Sequence, residues 1–388
     1  MMKRQITLIS LGNFPPVVGG IAHYLYSFAK YVPPDQLQVI TTPAPGWQQF
    51  DQKQPFKVRR LNLPEKWYPY YRQAKYLSPW YLRELLTVDP PGMILCGLAH
   101  YSLMLPARII QKFRGMPYGV FAHGHDLLRA QTRPYRPLLN ALLRNAKIVF
   151  TNSTTTAKIA QDLSVRAERI FVINPVVDAT KLTRSDIDAE DVRRKYGLPK
   201  KKCILTVGSL DERKGQDTVL KALPTILEQI PEAHYLIVGS GRSEQYLRSL
   251  VNDLGLSDSV TFAGRVADEE LGAYYEASDV FVMISREIPA NGNIEGFGIV
   301  YLEANLFGKP VVAGRSGGVE DAVIHGETGL LVDPHSSAEV SRAILDLLNN
   351  PEQAKHLGET GRYRVLRNFS GDVLTGKVMD KLSSLGMV

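Results

Sequence analysis

The chain is short of cysteine, of tryptophan and of long apolar runs. Its 388 residues contain two cysteines, Cys96 and Cys203, each inside an apolar stretch. Two isolated thiols exclude a disulfide-stapled scaffold and a thiolate metal site, and they read as reduced and buried. The longest mostly apolar stretch, Gly92–Ile110, is interrupted by His100, Tyr101, Ser102, Pro106 and Arg108. It therefore reads as a buried strand, a turn and a helix rather than a membrane span. The first ten residues carry a basic tip and only Ile6–Ile9 as an apolar run, too short for a secretory h-region. A cytoplasmic location is expected. Low-complexity tracts are also missing, and 44% apolar with 22% charged residues excludes a disordered chain.

Charge is unevenly spread. Residues 1–178 hold 22 Lys and Arg against 9 Asp and Glu, whereas residues 179–388 hold 24 against 30. A basic half joined to an acidic half predicts that the first half meets something anionic. No recognised nucleic-acid-binding motif accompanies the basic half, so nucleic acid is not the expected partner.

Short, unalternating apolar runs recur along both halves. In the first they are Gln5–Ser10, Leu37–Thr41, Met93–Gly97, Tyr118–Phe121, Ile148–Thr151 and Ile170–Ile173; in the second, Cys203–Val207, His234–Val238, Val260–Ala263, Val280–Ile284 and Pro310–Ala313. Helical patterns such as Ile21–Tyr31, Gln216–Gln229 and Ser243–Leu254 lie between them. Buried strands alternating with helices predict an α/β chain with parallel sheets covered on both faces. The pattern restarts near Cys203, so the linker is placed around Asn174–Asp178. The expected domains are residues 1–176 and 177–370, with a C-terminal helix, about 371–388, packing back on the first.

All three tryptophans, Trp47, Trp67 and Trp80, fall within Trp47–Arg83. Five tyrosines and eight basic residues, among them Arg59, Arg60, Lys66 and Arg72, share this segment with two acidic ones. Aromatic rings favour the headgroup level and each basic side chain near anionic lipid contributes ~1 kcal/mol. The segment reads either as an anionic membrane contact or as an aromatic-rich loop packed on its own domain.

The most informative string is Asn293-Ile-Glu-Gly-Phe-Gly-Ile-Val-Tyr-Leu-Glu303-Ala304, which follows the strand Val280–Ile284. Gly-Phe-Gly permits a tight turn into a helix starting near Gly298. Unpaired amides at such a start bind phosphate, aided by the macrodipole. Glu295 then lies in the loop facing the same pocket, and Glu303 lies further along the helix.

This string resembles the paired-glutamate signature of the family-4 retaining glycosyltransferases, and its wording is most similar to that of the phosphatidylinositol mannoside mannosyltransferases. Four further strings match that family in order: Pro15-Pro-Val-Val-Gly19-Gly20, His123-Gly-His-Asp126, Val207-Gly-Ser-Leu-Asp-Glu-Arg-Lys214-Gly-Gln-Asp217, and Gly317-Gly318-Val-Glu320 with Gly326-Glu-Thr-Gly329. The resemblance implies the GT-B fold, two Rossmann-like domains with parallel sheets facing a central cleft, the first binding acceptor and the second donor. It implies a retaining hexosyl transfer from GDP-mannose or UDP-glucose or UDP-galactose to a lipid-linked or polysaccharide acceptor. It also implies roles for residues. Glu295 holds donor-sugar hydroxyls and Glu303 the ribose. The amides of Phe297, Gly298, Ile299 and Val300 bind the diphosphate. Lys214 sets a positive charge on it, Gly20 brings another amide close, and His123 contacts the transferred sugar.

One departure stands out: Ser209 occupies the position where the family commonly has Arg, and Arg213 is the candidate replacement. There is no Asp-x-Asp-like metal loop in the relevant place, so no metal and no cofactor beyond the nucleotide sugar are expected. Paired carboxylates also occur in glycoside hydrolases and phosphorylases, and a non-catalytic sugar-nucleotide-binding relative is the other alternative. Gly239-Ser-Gly241 resembles part of a dinucleotide fingerprint, but Glu244 stands where the third glycine belongs.

Overall fold

In the computed structural model the described residues are 5–17, 19–88, 92–131, 134–183, 186–288 and 293–387. The chain forms two compact units. One comprises Met1–Val176 with Gly371–Val388, the other Val177–Ser370.

The first unit is built on seven strands: β1 (Gln5–Ile9), β2 (Leu37–Thr41), β3 (Lys57–Arg60), β4 (Gly92–Cys96), β5 (Tyr118–Ala122), β6 (Ile148–Thr151) and β7 (Ile170–Val172). All pair in parallel in the order β3-β2-β1-β4-β5-β6-β7. The apolar runs alternate between two cores, as a two-residue side-chain period demands. From β5, Tyr118, Val120 and Ala122 enter one core and Phe121 the other.

The second unit has six parallel strands: β8 (Lys202–Val207), β9 (Ala233–Val238), β10 (Val260–Gly264), β11 (Val280–Met283), β12 (Val311–Gly314) and β13 (Leu330–Val332). Their order is β10-β9-β8-β11-β12-β13. Here Phe281 and Met283 face one core while Val280 and Val282 face the other. The expected α/β class with two parallel sheets is what the chain forms. In such sheets ligands bind outside the carboxyl ends of the strands where the order reverses. Those points are β1/β4 in the first unit and β8/β11 in the second.

Two strands are missing from the apolar runs above, one for its charge and one for its length. β3 reads Lys-Val-Arg-Arg and sits at the sheet edge, where basic side chains discourage pairing with other chains. β13 is three residues long. The helix Gly371–Ser384 packs on the helix Gly20–Tyr31. Leu374, Val378 and Leu382 enter the first unit's core. A Cβ at Gly371 would lie 1.8 Å from the Tyr31 ring.

Trp47–Arg83 is mostly folded onto its own unit. Trp67 and Trp80 pack on the core around Tyr81, which is fully buried. Arg60 binds Asp51 through two nitrogens, at 2.7 and 3.0 Å, and donates to the carbonyls of Thr42 and Pro15. Arg59 pairs with Glu84 and bonds Thr87. These two arginines are therefore structural, which corrects their placing among residues available to lipid. Lys53, Lys66, Arg72 and Lys75 remain exposed, as do the rings of Tyr68 and Tyr76. The side chains of Tyr70 and Tyr71, and Val18 in the glycine-rich loop, lie outside the described residues.

Candidate functional site

At the β8/β11 reversal, the turn after β8 carries Arg213 and Lys214 and the loop after β11 carries Ser285, Arg286 and Glu295. Gly215 makes the close approach possible. Its φ is +69°, and a Cβ there would sit 1.9 Å from the Ile284 carbonyl. Arg286 then fastens the two loops together. Its amide donates to the Arg213 carbonyl at 2.9 Å, and its guanidinium pairs with Asp217 at 2.9 Å.

Glu295 is buried, and one of its oxygens collects the cluster. Oε2 accepts from Arg213 at 2.5 Å, Lys214 Nζ at 2.6 Å and Ser285 Oγ at 3.2 Å. Oε1 accepts no hydrogen bond from a described residue. Arg213 Nε is buried without a hydrogen-bond partner among the described residues. Burial opposes the Glu295 charge, yet Lys214 and Arg213 overcome it and hold the carboxyl down to about 2. Lys214 reads the other way: burial lowers its ammonium, and Arg213 lowers it further against the pull of Glu295. The two shifts are compatible because two cations share one carboxylate. Glu295 can neutralise only one of the two cations that it binds, and all three side chains are less than a fifth exposed, with Asp211 as a further acidic group near Lys214. Such an arrangement can hold an anion.

The backbone of Glu295 is clamped from behind. Gly318 donates its amide to the Glu295 carbonyl at 2.8 Å. Gly317 adopts φ +55°, with room for no Cβ because Glu295 O lies 2.3 Å away. Downstream, Gly298 caps the helix Ile299–Leu306 at φ +86°, and a Cβ would strike the Tyr301 ring at 2.4 Å. The fully buried Tyr301 anchors that helix by donating to the Met283 carbonyl at 2.8 Å. Phe297 is a core side chain packed on Phe369, and Ile299 and Val300 pack on the same core. The amides at this helix start have no intrahelical acceptor. Glu303, half-buried on the second turn, accepts from the Tyr275 hydroxyl at 2.6 Å. Burial, with Glu303 beside it, holds the Tyr275 hydroxyl protonated far above its usual range.

In the first unit, His123 follows β5 directly and is 7% exposed. Its Nε2 lies 3.0 Å from the Gly97 carbonyl, just after β4, and Tyr24 meets the ring edge-on at 5.4 Å. Asp126 fixes the turn by accepting from the amides of His123, Leu127 and Ala99, at 2.9, 3.0 and 2.9 Å. Burial lowers the His123 pKa, more than Asp126 and Gly97 raise it, so the ring is neutral near pH 7. It donates from Nε2 to Gly97. Gly20 opens the helix that carries Tyr24, with nothing within 4 Å of where a Cβ would be.

Two family patterns match the chain: "Glycosyl transferases group 1" over residues 188–364 and "Glycosyl transferase 4-like domain" over residues 19–175. The GDP-mannose-dependent alpha-(1-6)-phosphatidylinositol monomannoside mannosyltransferase of Mycobacterium tuberculosis is 31% identical over 387 residues, 97% of each chain. The chain belongs to the family-4-like glycosyltransferases. A Corynebacterium glutamicum relative, named for a monoacylated form of that acceptor, is 28% identical over 99% of both chains. Among solved structures, Anabaena HepE in complex with UDP superposes with a TM-score of 0.80 at 22% identity, covering 98% of this chain and 100% of that one. Sucrose-phosphate synthase from Thermosynechococcus elongatus gives 0.77 at 23%, covering 99% of each. These likenesses carry the GT-B fold.

Within the glycosyltransferase, Glu295, Arg213 and Lys214 come together as one hydrogen-bonded cluster, with Phe297–Val300 and Glu303 continuing from it. His123 and Gly20 belong to the first unit. Sequence reasoning missed Ser285, Tyr275 and Tyr301, which orient the two glutamates and the helix between them. Nothing in their local sequence signals this, because each contact spans ten or more residues. Asp126 and Asp217 stood inside matched strings, but their bonding to loop amides and to Arg286 follows only from the fold.

Proposed function

We propose that the enzyme transfers mannose from GDP-mannose, with retention at the anomeric carbon, to a phosphatidylinositol-mannoside-like glycolipid. The observation that carries the donor class is the surplus positive charge shared by Arg213 and Lys214 at the β8/β11 reversal. Full-length similarity to GDP-mannose-dependent enzymes supports the base and the sugar.

A donor diphosphate brings two negative charges. Lys214 and Arg213 meet them, and the helix start at Gly298 contributes amides and about half a charge. As the sugar–phosphate bond breaks, charge grows on the departing diphosphate, where fixed cations and dipoles stabilise it without reorganising. The Oε1 atom of Glu295 accepts from donor-sugar hydroxyls, Glu303 from the ribose, and His123 contacts the transferred sugar. The acceptor hydroxyl attacks from the face the diphosphate leaves, and the departing phosphate oxygen takes its proton. We assign no metal and no further cofactor to this reaction.

Among the described residues no helix is long and apolar enough to cross a membrane. The exposed Lys53, Lys66, Arg72 and Lys75 with Tyr68 and Tyr76 support peripheral contact with an anionic, cytoplasmic leaflet. Thermal unfolding with GDP, UDP and ADP tests the donor. A ligand at 100 times its Kd adds about 2.7 kcal/mol. Selective stabilisation by GDP, followed by an α-linked mannosyl product by NMR, is the expected result. Selective stabilisation by UDP overturns the donor assignment, and an inverted product overturns the stereochemistry.

A further inference from the structure

The first unit holds a groove of about 600 Å³ that the reading above does not use. It lies beyond the carboxyl ends of β2 and β3, lined by Trp47, Gln48, Arg60, Asn62, Glu65 and Tyr68 among others. Three observations identify what suits it. The first is an unused aromatic. Trp67 and Trp80 pack on the core, whereas Trp47 belongs to none of the hydrophobic clusters and faces the groove with the half-exposed Tyr68. Flat aromatic faces suit the apolar C–H faces of a sugar ring. The second is a set of hydroxyl-matching groups, the exposed amides of Gln48 and Asn62 and the exposed carboxylate of Glu65. The third is charge. Arg60 is the cation of this lining, and it is spent on Asp51 and on the carbonyls of Thr42 and Pro15. Glu65 adds a negative charge at the rim. The groove therefore rejects phosphate and accepts an uncharged polyol.

Its position adds a length. By strand spacing, the ends of β2 and β3 lie about 10 and 14 Å from that of β4, and Gly97, which follows β4, accepts from His123. That displacement is on the scale of two or three sugar rings. We propose that this groove is a subsite for an uncharged pyranose or cyclitol ring of the acceptor, about two rings away from the hydroxyl that reacts. The proposal rests on the glycosyl-transfer reading for its place in catalysis, but ring binding itself does not.

The test has a kinetic arm and a binding arm. In the first, acceptors with one and three rings are compared using wild type, Trp47→Ala, Trp47→Phe and Asn62→Ala. The expected result is a KM about tenfold higher for the three-ring acceptor in Trp47→Ala, partial rescue by Trp47→Phe, and an unchanged donor KM. Equal effects on one-ring and three-ring acceptors overturn the subsite. In the second arm, the Trp47 indole N–H is followed by NMR, assigned by its loss in Trp47→Phe, during titration with myo-inositol, methyl α-mannoside and inorganic phosphate. A shift with the neutral rings alone supports the proposal; a response to phosphate, or to none of the three, overturns it. If GDP fails to bind while the neutral rings still shift Trp47, the donor assignment has failed and the subsite stands.

Discussion

Glu295→Gln is the most revealing perturbation, because it removes the one carboxylate that two buried cations share. In the folded enzyme this carboxyl is held near 2 against an ordinary 4.5. Each tenfold change in acidity is worth about 1.4 kcal/mol, so its ionised form contributes roughly 3 kcal/mol to stability. The sign follows from the direction of the shift. A depressed carboxyl stabilises fully above its unfolded value and loses that contribution as the pH falls from about 4.5 towards 2. By pH 3 less than half remains by the same linkage relation. Urea unfolding of wild type and variant at pH 7 and pH 3 measures both quantities. The chain supplies its own control: all three tryptophans lie in the first unit. Tryptophan fluorescence therefore reports that unit, and backbone circular dichroism reports both. The dichroism transition of the second unit should shift at pH 7 and shift much less at pH 3. An unchanged transition at pH 7, or a loss of the same size at both pH values, would refute the shared-carboxylate account.

Lys214→Ala should behave differently: transfer is abolished and GDP no longer stabilises the protein, while the ligand-free enzyme keeps its melting temperature within a few degrees, because a surplus buried cation has gone. Retained turnover removes Lys214 from the site. Tyr275→Phe deletes the hydroxyl that holds Glu303, and a hydrogen bond to a charged group is worth about 1.5–3 kcal/mol. The donor KM should rise at least fivefold with the fold intact; an unchanged value separates Glu303 from donor binding. Gly298→Ala forces a side chain into φ +86° and against Tyr301, so a stability loss of about 1–3 kcal/mol and weakened GDP binding are expected. Wild-type melting and GDP affinity would show that the tight turn is dispensable.

The α/β class and the two parallel sheets were legible because buried parallel strands leave continuous apolar runs, as in Met93–Cys96 and Val280–Ile284. β3 was not legible, because at an edge Lys57, Arg59 and Arg60 need no burial on both faces. The glycine-rich turn before Ile299 announced a helix start through chain geometry alone. How Glu295 is held depends on partners about 80 residues away, Arg213 and Lys214, and on Ser285. Local spacing carries no record of which side chains share one oxygen. The basic, aromatic stretch Trp47–Arg83 was legible only in part, for a related reason. Composition counts arginines, but it does not show that Arg60 has already been consumed by Asp51.

The return of the last helix has a consequence for biosynthesis. The segment 371–387, with the helix Gly371–Ser384, fills a core whose other members end by Val176. All of Val177–Ser370 must therefore be made before the first unit can close. At translation rates of 5–20 residues per second that delay is roughly 10–40 s. Throughout it, the seat for Leu374, Val378 and Leu382 stays open as apolar surface on a nascent chain. A ribosome that stalls late thus leaves the first unit, not the second, without part of its core.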